Sequence, residues 1–268
     1  MSGSGSGLRL ALSLFSVAPV SDTAPMTATR ARRAVRWLPV VGAVIGLVSV
    51  LPALAVWRGG GHGSALLAAA LVVTAQVLLT RGLHLDGLAD LADGLGSRRP
   101  ASEALAVMKR SDIGPFGVAA VVFCPLIQVC ALSAVLGRDP RPAGVVVILA
   151  VAATSRLAVL WAAGTGVPAA RPGGFGALVA GTVGPAARVL GTAVVLAVAG
   201  GGLRLAGAGV TEVGWLLGAQ VSALLVAWLV RVHAVRRLGG VTGDVFGALI
   251  EIAATVLLVV AAAGAAWW

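Results

Sequence analysis

The most chemically informative segment of the chain is a short run with three aspartates. Residues 84–94 read HLDGLADLADG, in which Asp86, Asp90 and Asp93 are separated by four and then three positions. On a helix these side chains would share one face. Like charges on one face repel unless a cation lies between them, and carboxylate oxygens favour Mg²⁺ held jointly with substrate phosphates. The run therefore predicts a magnesium site, with His84 as a candidate general base. Alternatively, the aspartates form a solvated acidic end of a helix and His84 has only a structural role.

A second block carries cations where the first carries acids. Residues 108–117 read MKRSDIGPFG and combine Lys109, Arg110 and the Ser111 hydroxyl with glycines such as Gly114. Cationic side chains, a hydroxyl and open backbone N–H groups before a helix suit the binding of phosphate. We therefore predict that this block binds a phosphate of the substrate. Alternatively, the basic residues only hold the start of the following membrane span at the cytoplasmic surface.

Arg156 falls inside a long apolar segment, directly after Thr154 and Ser155. An unpaired guanidinium at that depth in a membrane would cost several kcal/mol, so Arg156 needs an anionic partner. The sequence is consistent with two partners. One is a substrate phosphate, which would make Arg156 a binding residue, and the other is Glu251 in a purely structural pair.

The last polar block before the C-terminal apolar segment is rich in glycine. Residues 238–247 read LGGVTGDVFG, and Glu251 follows Asp244 one heptad later, which returns both acids to nearly the same helix face. A glycine-rich turn that leads into a helix is a natural anion site, and a metal ion would reconcile Asp244 with a bound phosphate. The block thus predicts two metal ligands, Asp244 and Glu251, and four substrate-binding residues: Gly239, Gly240, Thr242 and Gly243. A flexible loop that ends in a helix cap is the alternative.

Taken together, the four blocks provide acids for Mg²⁺ and cations for phosphate. This combination favours phosphoryl or phosphodiester transfer on an amphiphilic substrate. The chain contains no glycine-rich loop of the Walker type. Hydrolysis of a free nucleotide as an energy source is therefore disfavoured.

The composition indicates an integral membrane protein. Of the 268 residues, 59% are hydrophobic and 11% are charged, and the mean hydropathy is +1.00. A soluble domain carries about 25% charged residues, so a soluble enzyme and a disordered chain are both excluded. The net charge of +10 is better explained by arginines that flank membrane spans than by a nucleic-acid partner. Continuous apolar runs predict an all-α polytopic bundle in the lipid bilayer.

Seven segments approach the length that crosses about 30 Å of hydrocarbon. They lie at 36–57, 64–82, 115–136, 143–163, 187–203, 213–231 and 245–267. We also expect an interfacial helix over 8–20 and a re-entrant piece over 175–184. The chain divides into an N-terminal segment, residues 1–34, with a linker-like start and a basic run, and a single membrane-embedded catalytic domain, residues 35–268.

The basic residues predict the orientation of these spans. With seven spans, 15 of the 20 lysines and arginines fall on the same side as the N-terminus. Positively charged loops face the cytoplasm, which predicts a cytoplasmic N-terminus. The same topology brings both acidic blocks to the cytoplasmic face, where the mouth of the active site is expected.

The HLDGLAD string of residues 84–90, followed by Asp93 and Gly94, closely resembles the signature of the cobalamin synthase family, the adenosylcobinamide-GDP ribazoletransferases. The resemblance extends to residues 108–117, 155–156 and 239–251. It also includes a weaker N-terminal pattern at Leu14, Phe15 and Pro19, so that it covers the chain essentially from residue 8 to the end.

Membership would imply a Mg²⁺-dependent enzyme of the bacterial cytoplasmic membrane. In that family a ribose hydroxyl of α-ribazole, or of α-ribazole 5′-phosphate, attacks adenosylcobinamide-GDP. GMP leaves, and adenosylcobalamin or its 5′-phosphate forms. The resemblance leaves open which ribazole form is used and whether the chain assembles into a homo-oligomer.

The resemblance also assigns roles to the residues singled out above. Mg²⁺ would be held by five carboxylates: Asp86, Asp90, Asp93, Asp244 and Glu251. Lys109, Arg110 and Arg156 would neutralise phosphate charge. A carboxylate such as Asp86 or Asp90, or else His84, would accept the hydroxyl proton.

The main rival is a membrane phosphotransferase of the CDP-alcohol phosphatidyltransferase type. Those enzymes resemble this chain in an Asp-Gly-x-x-Ala element on a membrane helix, but they continue with arginine and two further aspartates at a different spacing. In this chain Asp90 follows Ala89 directly. A transporter would spread its charged residues over several spans and both faces, and the clustering of acids argues against that class.

Overall fold

The chain folds into a bundle of α-helices. The computed structural model describes residues 4–57, 62–137 and 141–264. Within these ranges the regular structure is helical, apart from two isolated backbone bridges between loop residues. The helices in chain order are α1 (Ser4–Phe15), α2 (Ala28–Trp57), α3 (His62–Leu79), α4 (Leu83–Gly96), α5 (Ala101–Val107), α6 (Pro115–Leu136), α7 (Arg141–Ala162), α8 (Gly174–Val179), α9 (Pro185–Leu205), α10 (Val210–Leu238) and α11 (Gly243–Gly264). The all-α prediction is confirmed.

Six helices in the described ranges are individually long and apolar enough to cross a membrane, namely α2, α6, α7, α9, α10 and α11. Helices α3 and α4 pass the same test only as a pair, and they meet at an angle of 87°. The bend falls where Arg81 and Gly82 adopt left-handed backbone conformations, with φ values of 57° and 69°. The chain therefore reaches the predicted seven spans only if the bent pair counts as one. The span expected over 64–82 ends three residues early, because α3 ends at Leu79.

Helices α7 and α11 lie at the centre of the bundle. In their most apolar windows 78% of α7 and 61% of α11 is buried, compared with 22% of α6 and 11% of α9. The central contacts use small residues. Gly42 of α2 lies directly against the Ala152 carbonyl of α7, and Gly46 lies one turn further along the same contact. The two central helices can therefore act as a scaffold against which the polar segments are positioned.

The N-terminal segment packs onto α2. Leu10 and Ala11 of α1 form a small apolar cluster with Val41 and Ile45. Helix α1 lies at the position of the expected interfacial helix but ends at Phe15. The predicted boundary between residues 34 and 35 falls inside α2, which begins at Ala28.

The loop that follows α7 and the loop that precedes α11 pair through their backbones. The Ala170 N–H donates to the Val241 carbonyl at 3.0 Å, and the Val241 N–H donates to the Pro168 carbonyl at 2.9 Å. Helix α8, at the start of the piece predicted to be re-entrant, packs against α2 and α11. These contacts hold the loop of residues 163–173 beside the first turn of α11.

The close crossing of α2 and α7 gives a stability prediction. Gly42→Ala should destabilise the protein by about 1–3 kcal/mol, because the new methyl group would overlap the Ala152 carbonyl. Gly218→Ala is the matched control on α10, where a methyl group has no heavy atom within 4 Å and alanine favours the helix by up to about 1 kcal/mol. Thermal unfolding in detergent compares the two. Equal melting temperatures for both variants would contradict the importance of this crossing.

Candidate active site

Helix α4 presents the three aspartates of the HLDGLADLADG run in three different environments. His84, Leu88 and Leu91 are at most 8% exposed and fix the inner face of the helix. Asp86 is exposed, whereas Asp90 and Asp93 are half-buried. The amphipathic spacing thus turns the acids away from the core, as expected for a helix whose apolar residues recur at intervals of three and four.

Asp244 lies next to these acids because α4 crosses α11 with almost no side chain between the two backbones. A Cβ atom on Gly87 would lie 2.7 Å from the Asp244 carbonyl oxygen, and one on Gly247 would lie 3.2 Å from the His84 Cα. The two contacts run in opposite senses along the helices, so α4 is antiparallel to the first turns of α11. A side chain at Gly87 would overlap the Asp244 backbone, and one at Gly247 would make an unusually tight contact, so glycine at both positions allows this approach.

The crossing brings Asp86, Asp90 and Asp244 within electrostatic range of one another. Asp90 is repelled by both of the others, and Asp244 is repelled by Asp86. We call these three residues the outer carboxylates. Three anionic groups in a partly buried position are unfavourable unless a cation compensates their charge.

Arg171 supplies part of that compensation, and sequence reasoning did not identify it as a site residue. Its Nη1 atom lies 3.7 Å from Asp244 Oδ2, and its Nη2 atom donates to the Leu105 carbonyl at 2.7 Å. In the sequence Arg171 is one of many arginines near the ends of spans. Only the pairing of the loop of residues 163–173 with the loop before α11 brings it to Asp244.

Asp93 has a different set of partners from the outer carboxylates. Its Oδ2 atom accepts a hydrogen bond from the Gly114 N–H at 2.7 Å, and its Oδ1 atom accepts one from the Gly117 N–H at 2.8 Å. Gly114 immediately precedes α6 and Gly117 lies in its first turn, where backbone N–H groups have no partner within the helix. Asp93 therefore joins the end of α4 to the start of α6, and Gly114 leaves room for that carboxylate.

The remaining residues of the basic block lie in an exposed loop between α5 and α6. Lys109, Arg110 and Ser111 are all exposed. Arg110 donates to both oxygens of Asp112, at 2.9 and 2.6 Å, and these hydrogen bonds hold the pKa of Asp112 below its ordinary value. Arg110 and Asp112 of this block thus pair with each other, while Lys109 is exposed to solvent.

The glycine-rich block before α11 forms a compact turn. Gly239 ends α10 with a φ of 81°, and Gly240 lies against the backbone of Ala169 and Ala170, where a side chain would not fit. The Thr242 hydroxyl accepts a hydrogen bond from the Val245 N–H at 3.2 Å and donates to Asp244 Oδ2 at 3.1 Å. Thr242 therefore caps α11 and orients Asp244, and Gly243 is exposed beside it.

Glu251 does not join the outer carboxylates but belongs to a second polar group inside the bundle. Its Oε2 atom accepts a hydrogen bond from Gln128 at 2.9 Å, and its Oε1 atom lies 4.0 Å from His84 Nδ1. Arg156 is 4% exposed and is attracted to Glu251. We call His84, Gln128, Arg156 and Glu251 the inner cluster. Its side chains line a cavity of about 20 Å³, which is room for a single water molecule.

Arg156 also has local hydrogen-bond partners. Its Nη1 atom donates to the Ala152 carbonyl at 3.2 Å and to the Ser155 hydroxyl at 3.1 Å. Of the two partners expected for this arginine, Glu251 is the one that shares its cavity. Gln128, which reasoning from the sequence missed, gave no local signal because it is a lone amide in an apolar helix.

Comparison with known proteins supports the resemblance. The sequence profile described as Cobalamin-5-phosphate synthase matches residues 7–262. A Frankia casuarinae protein named adenosylcobinamide-GDP ribazoletransferase is 40% identical over 95% of this chain and 93% of its own length. Proteins of the same name from Pseudomonas aeruginosa and Corynebacterium efficiens are 39% and 37% identical. The Pseudomonas alignment covers 94% of this chain and 96% of the relative, and the Corynebacterium alignment covers 97% and 92%.

No solved structure is significantly similar to the chain. The profile match nevertheless spans all of the helices from α2 to α10 and nearly all of α11. With relatives of about 40% identity over almost the whole length, the chain belongs to the Cobalamin-5-phosphate synthase family.

Proposed function

We propose that this membrane protein is an adenosylcobinamide-GDP ribazoletransferase that uses Mg²⁺. The observation that carries the proposal is the near full-length identity to proteins of that name. The outer carboxylates and Arg171 add a site whose charges suit a reaction at a diphosphate. The arginine distribution supports a cytoplasmic N-terminus and an active site that opens on the cytoplasmic side of the bacterial inner membrane.

In this reaction a ribose hydroxyl of α-ribazole, or of its 5′-phosphate, attacks the phosphorus that carries the cobinamide. A new O–P bond forms while the bond from that phosphorus to the bridging oxygen of the diphosphate breaks. The bridging oxygen leaves with GMP, and the hydroxyl proton passes to a base. The protein must therefore align the two substrates, neutralise phosphate charge and accept one proton.

We propose that carboxylates at the α4–α11 crossing contribute to a Mg²⁺ site that the substrate completes. Within the described part of the chain no three histidine, cysteine, aspartate or glutamate side chains are arranged to hold a metal ion by themselves. Mg²⁺ is usually bound by one or two carboxylates together with substrate phosphates and water, and Asp90 and Asp244 would supply the protein's share. When bound, the ion neutralises the charge that develops on the phosphate oxygens.

Asp93 and Glu251, the other two predicted ligands, fit a positioning role better. Asp93 uses both oxygens to accept hydrogen bonds from the start of α6, and Glu251 is held by Gln128 inside the bundle. We therefore propose that these two acids fix the helices that present the outer carboxylates.

Cationic groups lie on the loop side of the outer carboxylates. Arg171 lies 3.7 Å from Asp244 and would donate hydrogen bonds to a phosphate oxygen of a bound substrate. Lys109 and Arg110 are exposed and could contact the more distant phosphate or the guanosine end of the substrate. A guanidinium can bind two phosphate oxygens at once, which orients the group as well as neutralising it.

An exposed carboxylate of α4 is the better candidate for the proton acceptor. Asp86 faces outward, whereas His84 is 3% exposed and has Glu251 beside its Nδ1 atom. A base must come within hydrogen-bond reach of the hydroxyl that it deprotonates. We propose that Asp86 accepts the proton and that His84 positions the start of α4.

The first prediction concerns the outer carboxylates. Asp86→Asn and Asp90→Asn should each lower the rate of GMP release by roughly 10²-fold or more, because each removes a metal ligand or base. The assay uses detergent-purified protein, adenosylcobinamide-GDP and α-ribazole, with Mg²⁺ and with a chelator. Glu103→Gln, an exposed acid on α5, is the control and should retain full activity.

Two outcomes of this assay would contradict the proposal. Full activity of either aspartate variant would remove that residue from the site. Absence of GMP and of any cobalamin product from folded wild-type protein with Mg²⁺ would contradict the function itself. Release of CMP from a CDP-alcohol would then favour the phosphatidyltransferase alternative.

The second prediction concerns Arg171. Arg171→Ala should lower kcat/KM for adenosylcobinamide-GDP by roughly 10–100-fold, the effect of losing one hydrogen bond to a charged group. Arg171→Lys should recover part of the loss, since lysine keeps the charge but not the paired donors. Arg236→Gln, an exposed arginine near the end of α10, serves as the control. Equal kinetics for Arg171→Ala and the wild type would exclude a role for Arg171 in substrate binding.

The third prediction concerns the partner of Arg156. Arg156→Gln and Glu251→Gln should each lower stability by about 3–5 kcal/mol, because each leaves an uncompensated buried charge. The double variant should lose less stability than the sum of the losses in the two single variants, and the difference, the coupling energy, should be about 0.5–3 kcal/mol. Thermal unfolding of the four proteins without substrate measures the coupling. Strict additivity would instead support a substrate phosphate as the partner of Arg156.

A further inference from the structure

Two arginines outside the proposed reaction lie on neighbouring helices at the end of the bundle that carries the outer carboxylates. Arg188 is in the first turn of α9, and Arg231 lies two turns before the end of α10. Each guanidinium lies over a tryptophan ring. The Arg188 Cζ atom is 5.2 Å from the ring centre of Trp161, and the Arg231 Cζ atom is 5.9 Å from that of Trp228.

The fold leaves space for the Arg188 guanidinium. A Cβ atom on Gly164 would lie 2.5 Å from Arg188 Nη1, so glycine at this position allows the side chain to lie flat on the loop after α7. The Arg188 Nη2 atom lies 3.5 Å from the Thr165 hydroxyl, and Trp161 is itself held by a hydrogen bond to Thr192 at 3.0 Å. The arginine, the loop and the tryptophan thus form a preorganised group.

The two arginines lack a compensating anion. Helices α9 and α10 pack against each other and are joined by the short segment of residues 206–209, so both arginines lie at the end of this pair that is remote from the connection. None of the ion pairs among the described residues includes either one. Their Nε atoms are buried and have no hydrogen-bond partner in the described chain. Adjacent cations with unused donors in a partly desolvated position are unfavourable without a bound anion.

The surroundings place this pair at the lipid-facing surface. Val189 and Leu190 of α9 are 59% and 66% exposed, and Trp228 and Leu229 of α10 are 44% and 51% exposed. Exposed aliphatic side chains on a membrane helix face acyl chains, while tryptophan and arginine gather at the level of the lipid headgroups. A ligand at this site would therefore have access from both the bilayer and the aqueous loops.

We propose that Arg188 and Arg231, with the Thr165 hydroxyl, bind a phosphate group at the membrane surface, separate from the outer carboxylates. A guanidinium pair and a hydroxyl offer the donors that a phosphate monoester or diester accepts. The group could belong to the headgroup of an anionic phospholipid or be free phosphate. Gly164 and Thr165 begin the loop that carries Arg171, so a bound phosphate would also restrain that loop.

Native mass spectrometry of the full-length protein in detergent tests the site independently of enzymatic activity. The wild type is titrated with phosphatidylglycerol or phosphatidylcholine and compared with the double variant Arg188→Gln/Arg231→Gln. Retention of phosphatidylglycerol should fall about ten-fold or more in the double variant, the loss that one charge-assisted hydrogen bond corresponds to. Arg204→Gln, at the opposite end of α9, is the matched control and should bind as the wild type does.

Addition of excess inorganic phosphate distinguishes the two sources of the ligand. If phosphate displaces phosphatidylglycerol, the site binds free phosphate as well as the lipid headgroup. If phosphatidylglycerol remains bound, the site is specific for the lipid headgroup. The double variant Arg188→Lys/Arg231→Lys keeps both charges and should retain most of the binding, which covers the case that the glutamine variant does not fold. Equal retention by the wild type and a folded glutamine variant, or no retention of phosphatidylglycerol or phosphate by the wild type, would overturn the proposal.

Discussion

The backbone contact between α4 and α11 is the constraint on which the rest of the site depends. Gly87 lies against Asp244, and Gly247 lies against His84. Because the two backbones approach this closely, the carboxylates on one helix are held near those on the other. Repulsion among Asp86, Asp90 and Asp244 is therefore part of the fold. It must be offset by packing elsewhere, by Arg171 and, on our proposal, by a cation and the substrate.

Helix α4 can resist this repulsion because it is attached at both ends. At its start His84 is buried beside Glu251 as part of the inner cluster, and at its end Asp93 accepts hydrogen bonds from Gly114 and Gly117 at the start of α6. The middle of the helix, with Asp86 and Asp90, is left facing outward. The three aspartates of α4 therefore have different roles. Asp93 is occupied by hydrogen bonds that position the helix, whereas Asp86 and Asp90 are available for chemistry.

Local sequence properties predicted the helical membrane fold and the segments that hold the polar site. Hydropathy over a window of about 20 residues is a property of consecutive residues, so the long spans could be identified. The spacing of Asp86, Asp90 and Asp93 likewise predicted that these residues share a helix. The predicted span over 64–82 ended at the bend between α3 and α4, but the earlier end of α3 at Leu79 and the 87° turn into α4 were not predicted. Their cause is tertiary, because α4 turns to meet α11.

The division of the five acids into two groups could not be predicted for the same reason. A heptad separation places Asp244 and Glu251 on one face of α11, but it also separates them by about 10 Å along the axis. Helix α4 is short and antiparallel at this crossing, so Asp86 and Asp90 can approach the first acid while His84 approaches the second. Sequence periodicity predicts which face of a helix a residue lies on. It does not predict where along its length a neighbouring helix crosses, which here depends on glycines in both helices.

The depth difference explains why one membrane protein can combine a charged reaction site with a stable interior. The outer carboxylates lie beside loops and an arginine, where water, a cation and phosphates can reach them. The inner cluster lies deeper: Glu251 accepts a hydrogen bond from Gln128 and is attracted to the buried Arg156. A cation bound at the outer level would relieve the repulsion across the α4–α11 contact. Because a ligand that binds only the folded state stabilises it, substrate binding and the integrity of this helix pair should be coupled.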